Sequence, residues 1–197
     1  MLDCAIRMDE DTMDLIDRIS RQFEDSARAT LDALDALAAP IAGAVEIITG
    51  SLLDNGKVFA CGSGRGVDDA MRFAAAMADG FEMERPPLAA IALPGGDEDP
   101  FSRRIGALGQ PGDVLLAIAT ESGGEGIGAA IAAAHERDMR VIALTACDAD
   151  MIEAQLAPGD VPIRISAERT GHVLQLQQLV LHCLCDGIDC LLLGVED

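Results

Sequence analysis

The sequence predicts an α/β fold in which a five-stranded parallel sheet is covered on both faces by helices. Three observations predict it. From residue 57 onward short apolar runs alternate with helical stretches, and strands and helices of these lengths in alternation imply a parallel sheet. Two glycine-rich turns each follow an apolar run, Cys61-Gly62-Ser63-Gly64-Arg65-Gly66 and Ala119-Thr120-Glu121-Ser122-Gly123-Gly124. The residues before position 54 have helical spacing and no strand pattern, so they form an N-terminal helical arm.

Residues 8–37 read as an amphipathic helix. Met13, Ile16, Ile19, Phe23, Ala27, Leu31 and Leu34 fall three or four apart, with Asp and Arg between them. Ala39-Pro40 is expected to break it, because proline lacks the N–H and crowds the preceding turn. A second helix then runs over 41–53, and Asp54-Asn55-Gly56 is a turn signal. Strands are expected at 57–61, 89–93, 113–118, 140–144 and 161–165, and helices at 68–80, 125–137, 149–155 and 171–193. Residues 94–100 form an exposed acidic loop. The last helix is apolar on nearly all sides, from Val173 through Leu176, Leu179, Val180, Leu184 and Ile188 to Leu193. Such a helix is central or buried between subunits. Residues 1–54 are therefore read as oligomerisation helices and 55–197 as one globular unit.

Composition excludes several function classes. At 197 residues the chain holds one domain with a real core. Formal net charge is −20, which argues against direct DNA or RNA binding, since phosphate backbones need a basic face. It also disfavours an anionic membrane surface. Lys57 is the only lysine; the acidic surface fits work at elevated salt or plain genome bias equally well. No run of about 18 apolar residues suggests a membrane span. The first seven residues lack the regions of a signal peptide, so a cytoplasmic setting is expected. The six cysteines form no CxxC pair, and a reduced structural role is expected of them.

The glycine-rich turns are the candidate pocket. Glycine lets backbone approach a ligand, and a helix N-terminus offers unpaired N–H groups to an anion. Gly62-x-Gly64-x-Gly66 lacks the spacing of a dinucleotide fingerprint, and no Gly-Lys-Ser/Thr follows it. In the second turn Glu121 stands where an anion is expected, a like-charge cost of about 1–4 kcal/mol. His135 lies at a solvated helix end, His172 opens the last helix, and His182 lies within it among apolar residues. His182 is read as packed or interfacial rather than catalytic. No Ser/His/Asp order or metal-binding spacing is present.

Longer stretches carry a resemblance. Phe59–Gly64, Met71–Ala74, Phe81–Leu93, Ala107–Ile118 and His182–Asp189 resemble the SIS (sugar isomerase) domain, across about residues 10–193. They are similar to its phosphoheptose isomerase branch. Phe81-Glu82-Met83-Glu84-Arg85-Pro86 and Cys183-Leu184-Cys185-Asp186 resemble the DiaA side of that branch, proteins that associate with the initiator DnaA. The resemblance implies a three-layer α/β/α sandwich with a five-stranded parallel sheet, assembled as a homotetramer. It places a phosphate loop at Ala119–Gly124, so the ligand-binding candidates for a sugar phosphate are Ser63, Gly64, Arg65, Thr120, Ser122 and Gly123.

Phosphoheptose isomerases use a Glu after the first glycine turn and a His in the last helix, often with a further His and a Gln around zinc. By resemblance the Glu position is Ala76, the second His position Arg72 and the Gln position Leu174; His182 alone is retained. No catalytic set, metal site or cofactor is therefore expected. About a dozen residues of the family's loop and helix, which wall the pocket, are missing between Leu93 and Phe101. The expectation is a non-enzymatic, DiaA-like protein that binds DnaA and promotes replication initiation. Leu192 and Leu193 fall where DiaA carries an apolar pair, and are the candidate partner contact. The alternative is a sugar-phosphate isomerase, or a sugar-phosphate-binding sensor, with an altered site.

Overall fold

The computed structural model describes residues 14–95, 101–120, 125–146 and 150–194. Its elements are α1 (Leu15–Leu53), β1 (Val58–Ser63), α2 (Gly66–Asp79), β2 (Ala90–Ala92), α3 (Ser102–Leu108), β3 (Val114–Ala119), α4 (Glu125–His135), β4 (Arg140–Thr145), α5 (Asp150–Glu153), β5 (Val161–Arg164) and α6 (Thr170–Leu193). The five strands form one parallel sheet in the order β2-β1-β3-β4-β5. This is the α/β fold that the sequence predicts.

Period-two alternation divides the core between two faces. Val58, Ala60, Leu116, Ile118 and Leu144 point toward α1, α2 and α6. Phe59, Cys61, Leu115, Ala117 and Val141 point toward α3, α4 and α5. Strands covered on both faces need apolar residues at every position, and β3 is buried throughout. The Asp113 carboxylate joins the starts of β1 and β3. It accepts hydrogen bonds from the Lys57 amide at 2.9 Å, the Lys57 ammonium at 2.6 Å and the Gln110 amide at 2.8 Å.

Helix α1 is one helix that runs through Pro40, not two helices broken at Ala39-Pro40. Proline inside a helix costs about 3 kcal/mol. Here Leu37 before it and Ala44, Val45 and Ile48 after it all enter the same core cluster. Packing on both sides of the proline holds the axis continuous. Asp14 caps the start, its Oδ1 accepting from the Ile16 amide at 3.3 Å. The predicted positions 8–13 lie outside the described residues. Helix α3 is not among the expected elements; at seven residues with one buried position, Ile105, it is too short for a periodic signal.

By length and composition alone α1 and α6 are each apolar enough to cross a membrane, so hydropathy does not exclude a span. In the fold both lie against the sheet, and α6 buries Leu176, Val180, Leu184 and Ile188 there. His135, read as solvated, is half-buried and its Nε2 meets Asp160 Oδ2 at 2.8 Å. Burial pushes the thiols of Cys61 and Cys185 up to about 12, with Asp189 adding to the effect at Cys185. Both stay protonated near neutral pH, as packed apolar side chains do.

Candidate functional site

In a sheet of order 2-1-3-4-5 the chain reverses direction between β1 and β3, which opens a crevice beyond their carboxyl ends. Ser63 pairs with Ala119 in register, so both glycine-rich turns leave the sheet at the same level. The first turn is glycine-rich for reasons of backbone contact. A Cβ on Gly62 would lie 2.0 Å from the Gly66 carbonyl oxygen, and one on Gly66 would lie 2.7 Å from the Ile118 carbonyl oxygen. Gly64 has a φ of 55°.

Ser63 ends β1 half-buried, while Gly64 and Arg65 are exposed at the start of α2. Arg65 makes no ion pair among the described residues. Thr120 is buried, and its hydroxyl donates to Gln177 Oε1 at 3.2 Å. Gln177 is itself fully buried, and its Nε2 has no hydrogen-bond partner among the described residues. Glu121, Ser122 and Gly123 lie outside the described residues, so the first turn and Thr120 are the candidates placed together.

Beside the crevice, α2 and α6 border an open groove of about 340 Å³ lined by Arg65, Asp68, Asp69, Arg72, Leu174, Gln175 and Gln178. Asp69 organises it. Its Oδ1 accepts from Arg72 Nη2 at 2.7 Å and from Gln178 Nε2 at 2.5 Å. Burial raises the Asp69 carboxyl above the usual carboxylate range, against the lowering effect of Arg72. Asp68, Asp69 and Gln178 are not among the candidates read from the sequence. The available signal was the polar run Gln175, Gln177 and Gln178 within an otherwise apolar helix.

The remaining candidate positions are scattered around this groove. Arg72 and Leu174 line it. Ala76 is half-buried against the core cluster, and its carbonyl accepts from Arg85. His182 is exposed rather than enclosed by apolar residues, with the Phe81 ring 5.1 Å from its own. A guanidinium, a methyl and an isobutyl group supply no metal donor, so Arg72, Ala76 and Leu174 with His182 do not fit zinc. Among the described residues no group of three or more His, Cys, Asp or Glu could hold a metal. Leu192 is half-buried against the core, and Leu191 and Leu193 are exposed, because successive helical residues turn by about 100°.

A family model described as "SIS domain" matches residues 22–146. The chain is 59% identical over 197 residues to a phosphoheptose isomerase of Aromatoleum aromaticum, covering 94% of this chain and 100% of that protein. It is 54% identical to the phosphoheptose isomerase of an Azoarcus species, with the same coverage. Among solved structures, the phosphoheptose isomerase GmhA from Neisseria gonorrhoeae superposes with a TM-score of 0.79 at 36% identity, covering 89% of this chain and 98% of that one. A phosphoheptose isomerase from Francisella tularensis gives 0.83 at 34% identity, covering 90% and 99%.

These likenesses correct two expectations. The DiaA-like reading, with DnaA binding and replication initiation, gives way because the relatives that match this chain over their whole length are named phosphoheptose isomerase. The expectation of a chain without enzymatic activity gives way on the same finding, since those relatives are sugar-phosphate isomerases by name. Fold, crevice and end-to-end identity agree that the chain belongs to the SIS domain family, in its phosphoheptose isomerase branch.

Proposed function

We propose that this chain acts on a phosphorylated sugar as an aldose–ketose isomerase. The observation that carries this reading is the 59% identity, over the whole length of the relative, to a phosphoheptose isomerase. The crevice at β1 and β3 suits the phosphate: the Ser63–Gly66 turn presents amides at the start of α2, and Arg65 and Thr120 stand beside it. Isomerisation moves a proton between adjacent carbons and needs a base together with a group that steadies charge on oxygen. Ala76 provides neither. Arg65, Asp68, Asp69 and Arg72 are the ionisable groups that line the groove, and His182 lies further along α6 beside Phe81.

The test is turnover of sedoheptulose 7-phosphate by the purified full chain, followed by NMR. Turnover is expected, and His182→Ala is expected to lower it by about 100-fold, the usual scale for a lost acid or base. No turnover at any substrate concentration overturns the isomerase reading. Binding without turnover would make the chain a sugar-phosphate sensor, the reading that Ala76 favours.

A homo-oligomer, assembled as a tetramer, belongs to the same proposal. On α1 the side chains of Leu15, Ile16, Ile19, Phe23, Leu31 and Leu34 are exposed, as are Leu179, Leu191 and Leu193 on α6. Covering such surface is favourable by about 25 cal/mol per Å². Light scattering is expected to give a mass near four chains; a stable monomer at micromolar concentration would rule the assembly out. A cytoplasmic setting accompanies this reading.

A further inference from the structure

We propose that the α2–α6 groove binds the sugar end of its ligand on the Arg72 guanidinium, without a metal ion. The ligand class is a phosphorylated sugar bearing an oxyanion at the carbon end remote from its phosphate. That oxyanion is either the carboxylate of a phosphorylated sugar acid or the enediolate of an isomerising sugar. The inference rests on the sugar-phosphate reading above and adds to it the group that meets the sugar.

Four observations carry it. The groove has room for a small ligand, about 340 Å³. Its cations are the guanidiniums of Arg65 and Arg72, beside the carboxylates of Asp68 and Asp69; Arg72 sits where the family resemblance places a metal-binding histidine, and neither Ala76 nor Leu174 can hold a metal. The Arg72 side chain is 61% exposed and gives one donor to Asp69, whose own side chain is only 3% exposed. Gln178 from α6 donates to the same Asp69 oxygen, so the carboxylate is locked between two helices and holds the guanidinium in place. A guanidinium has five N–H donors, which leaves Arg72 with donors for a ligand and a charge that does not titrate. Arg65, two turns earlier at the start of the same helix, opens into the same groove. It connects the groove to the phosphate turn.

Such a site stabilises negative charge on oxygen as an oxyanion hole does, with hydrogen bonds aimed before the charge appears. Asp69 and Gln178 are positioning residues here, since they act through Arg72.

The experiment is calorimetric titration of the full chain, in excess EDTA, with 6-phosphogluconate and with glucose 6-phosphate. Metal content of the purified protein is measured in parallel. The carboxylate ligand is expected to bind about tenfold tighter, the scale of one charge-assisted hydrogen bond. Arg72→Gln is expected to erase that preference, and Arg72→Lys to keep part of it. Added turnover of sedoheptulose 7-phosphate in EDTA would identify the enediolate as the natural oxyanion; its absence, with the preference intact, would identify the sugar acid. Equal affinities, a preference that survives Arg72→Gln, or stoichiometric zinc needed for binding would each overturn the proposal. If neither compound binds, the sugar-phosphate reading falls with it; if glucose 6-phosphate binds without a preference, only the Arg72 inference falls.

Discussion

Replacing Arg85 with alanine is expected to cost about 3–5 kcal/mol of stability, the range for breaking one half of a buried ion pair. The Arg85 side chain is 1% exposed and that of Asp189 is 5% exposed, with Nε donating to Oδ1 at 2.5 Å. The same guanidinium donates to the Met77 carbonyl at 2.7 Å and the Ala76 carbonyl at 3.0 Å. Those carbonyls belong to the last turn of α2, and each also accepts a backbone amide, Ala76 from Gly80 at 3.0 Å and Met77 from Leu88 at 3.0 Å. One side chain thus ties the end of α2, the 81–89 connection and α6 together. Without it Asp189 is a buried charge with nothing opposite. The melting temperature is expected to fall by about 10 °C, given about 2–4 °C per kcal/mol for a chain this size. Replacing both partners, Arg85→Met with Asp189→Leu, should be milder than either single change, because no charge is left unpaired. Protein concentration must be held fixed, since assembly raises apparent stability. A single variant melting within about 2 °C of the parent would show that the pair is not holding these elements.

That clamp also bears on the stretches that resemble DiaA. Arg85 and the neighbouring Phe81, Glu82, Met83, Glu84 and Pro86 suggest DiaA, as does the cysteine-rich stretch just before Asp189. In the fold Arg85 and Asp189 meet as a structural lock, so the arginine of that run reports on packing. The strands were legible because buried parallel strands are near-continuous apolar runs, and β1 and β3 fall within two residues of expectation. The continuity of α1 was not, because the packing that overrides Pro40 comes from α6, far along the chain. The groove was the least legible part. Asp69 and Gln178 are 109 residues apart, and a contact at that separation leaves no local pattern. The positions of Ala76, Arg72 and Leu174 were readable, but they show what the site lacks. What Arg72 does there depends on two neighbours that only the fold supplies.

Gly62→Ala is expected to cost about 3 kcal/mol or more, at the upper end of overpacking penalties, and to abolish ligand binding in the crevice. The added Cβ would lie 2.0 Å from the Gly66 oxygen, 2.1 Å from the Gly66 carbonyl carbon and 2.6 Å from the Val67 nitrogen. All three are backbone atoms, so no side-chain rotamer relieves the contact and the first turn of α2 must move. Gly66 cannot retreat toward the sheet, because its own Cα faces the Ile118 carbonyl of β3 too closely to admit a methyl group. The turn would therefore shift outward, carrying Ser63 and Arg65 away from Thr120 and opening the groove below. Gly50→Ala is the matched control. It lies in α1 with nothing within 4 Å of an added Cβ, and it is expected to gain roughly 0.5–1 kcal/mol from the lower entropy of the unfolded chain. Denaturant midpoints of the two variants should move in opposite directions. Glucose 6-phosphate should still bind to Gly50→Ala and not to Gly62→Ala. A Gly62→Ala protein that unfolds with the parent and keeps its ligand would mean that β1 and α2 do not meet through this turn as described.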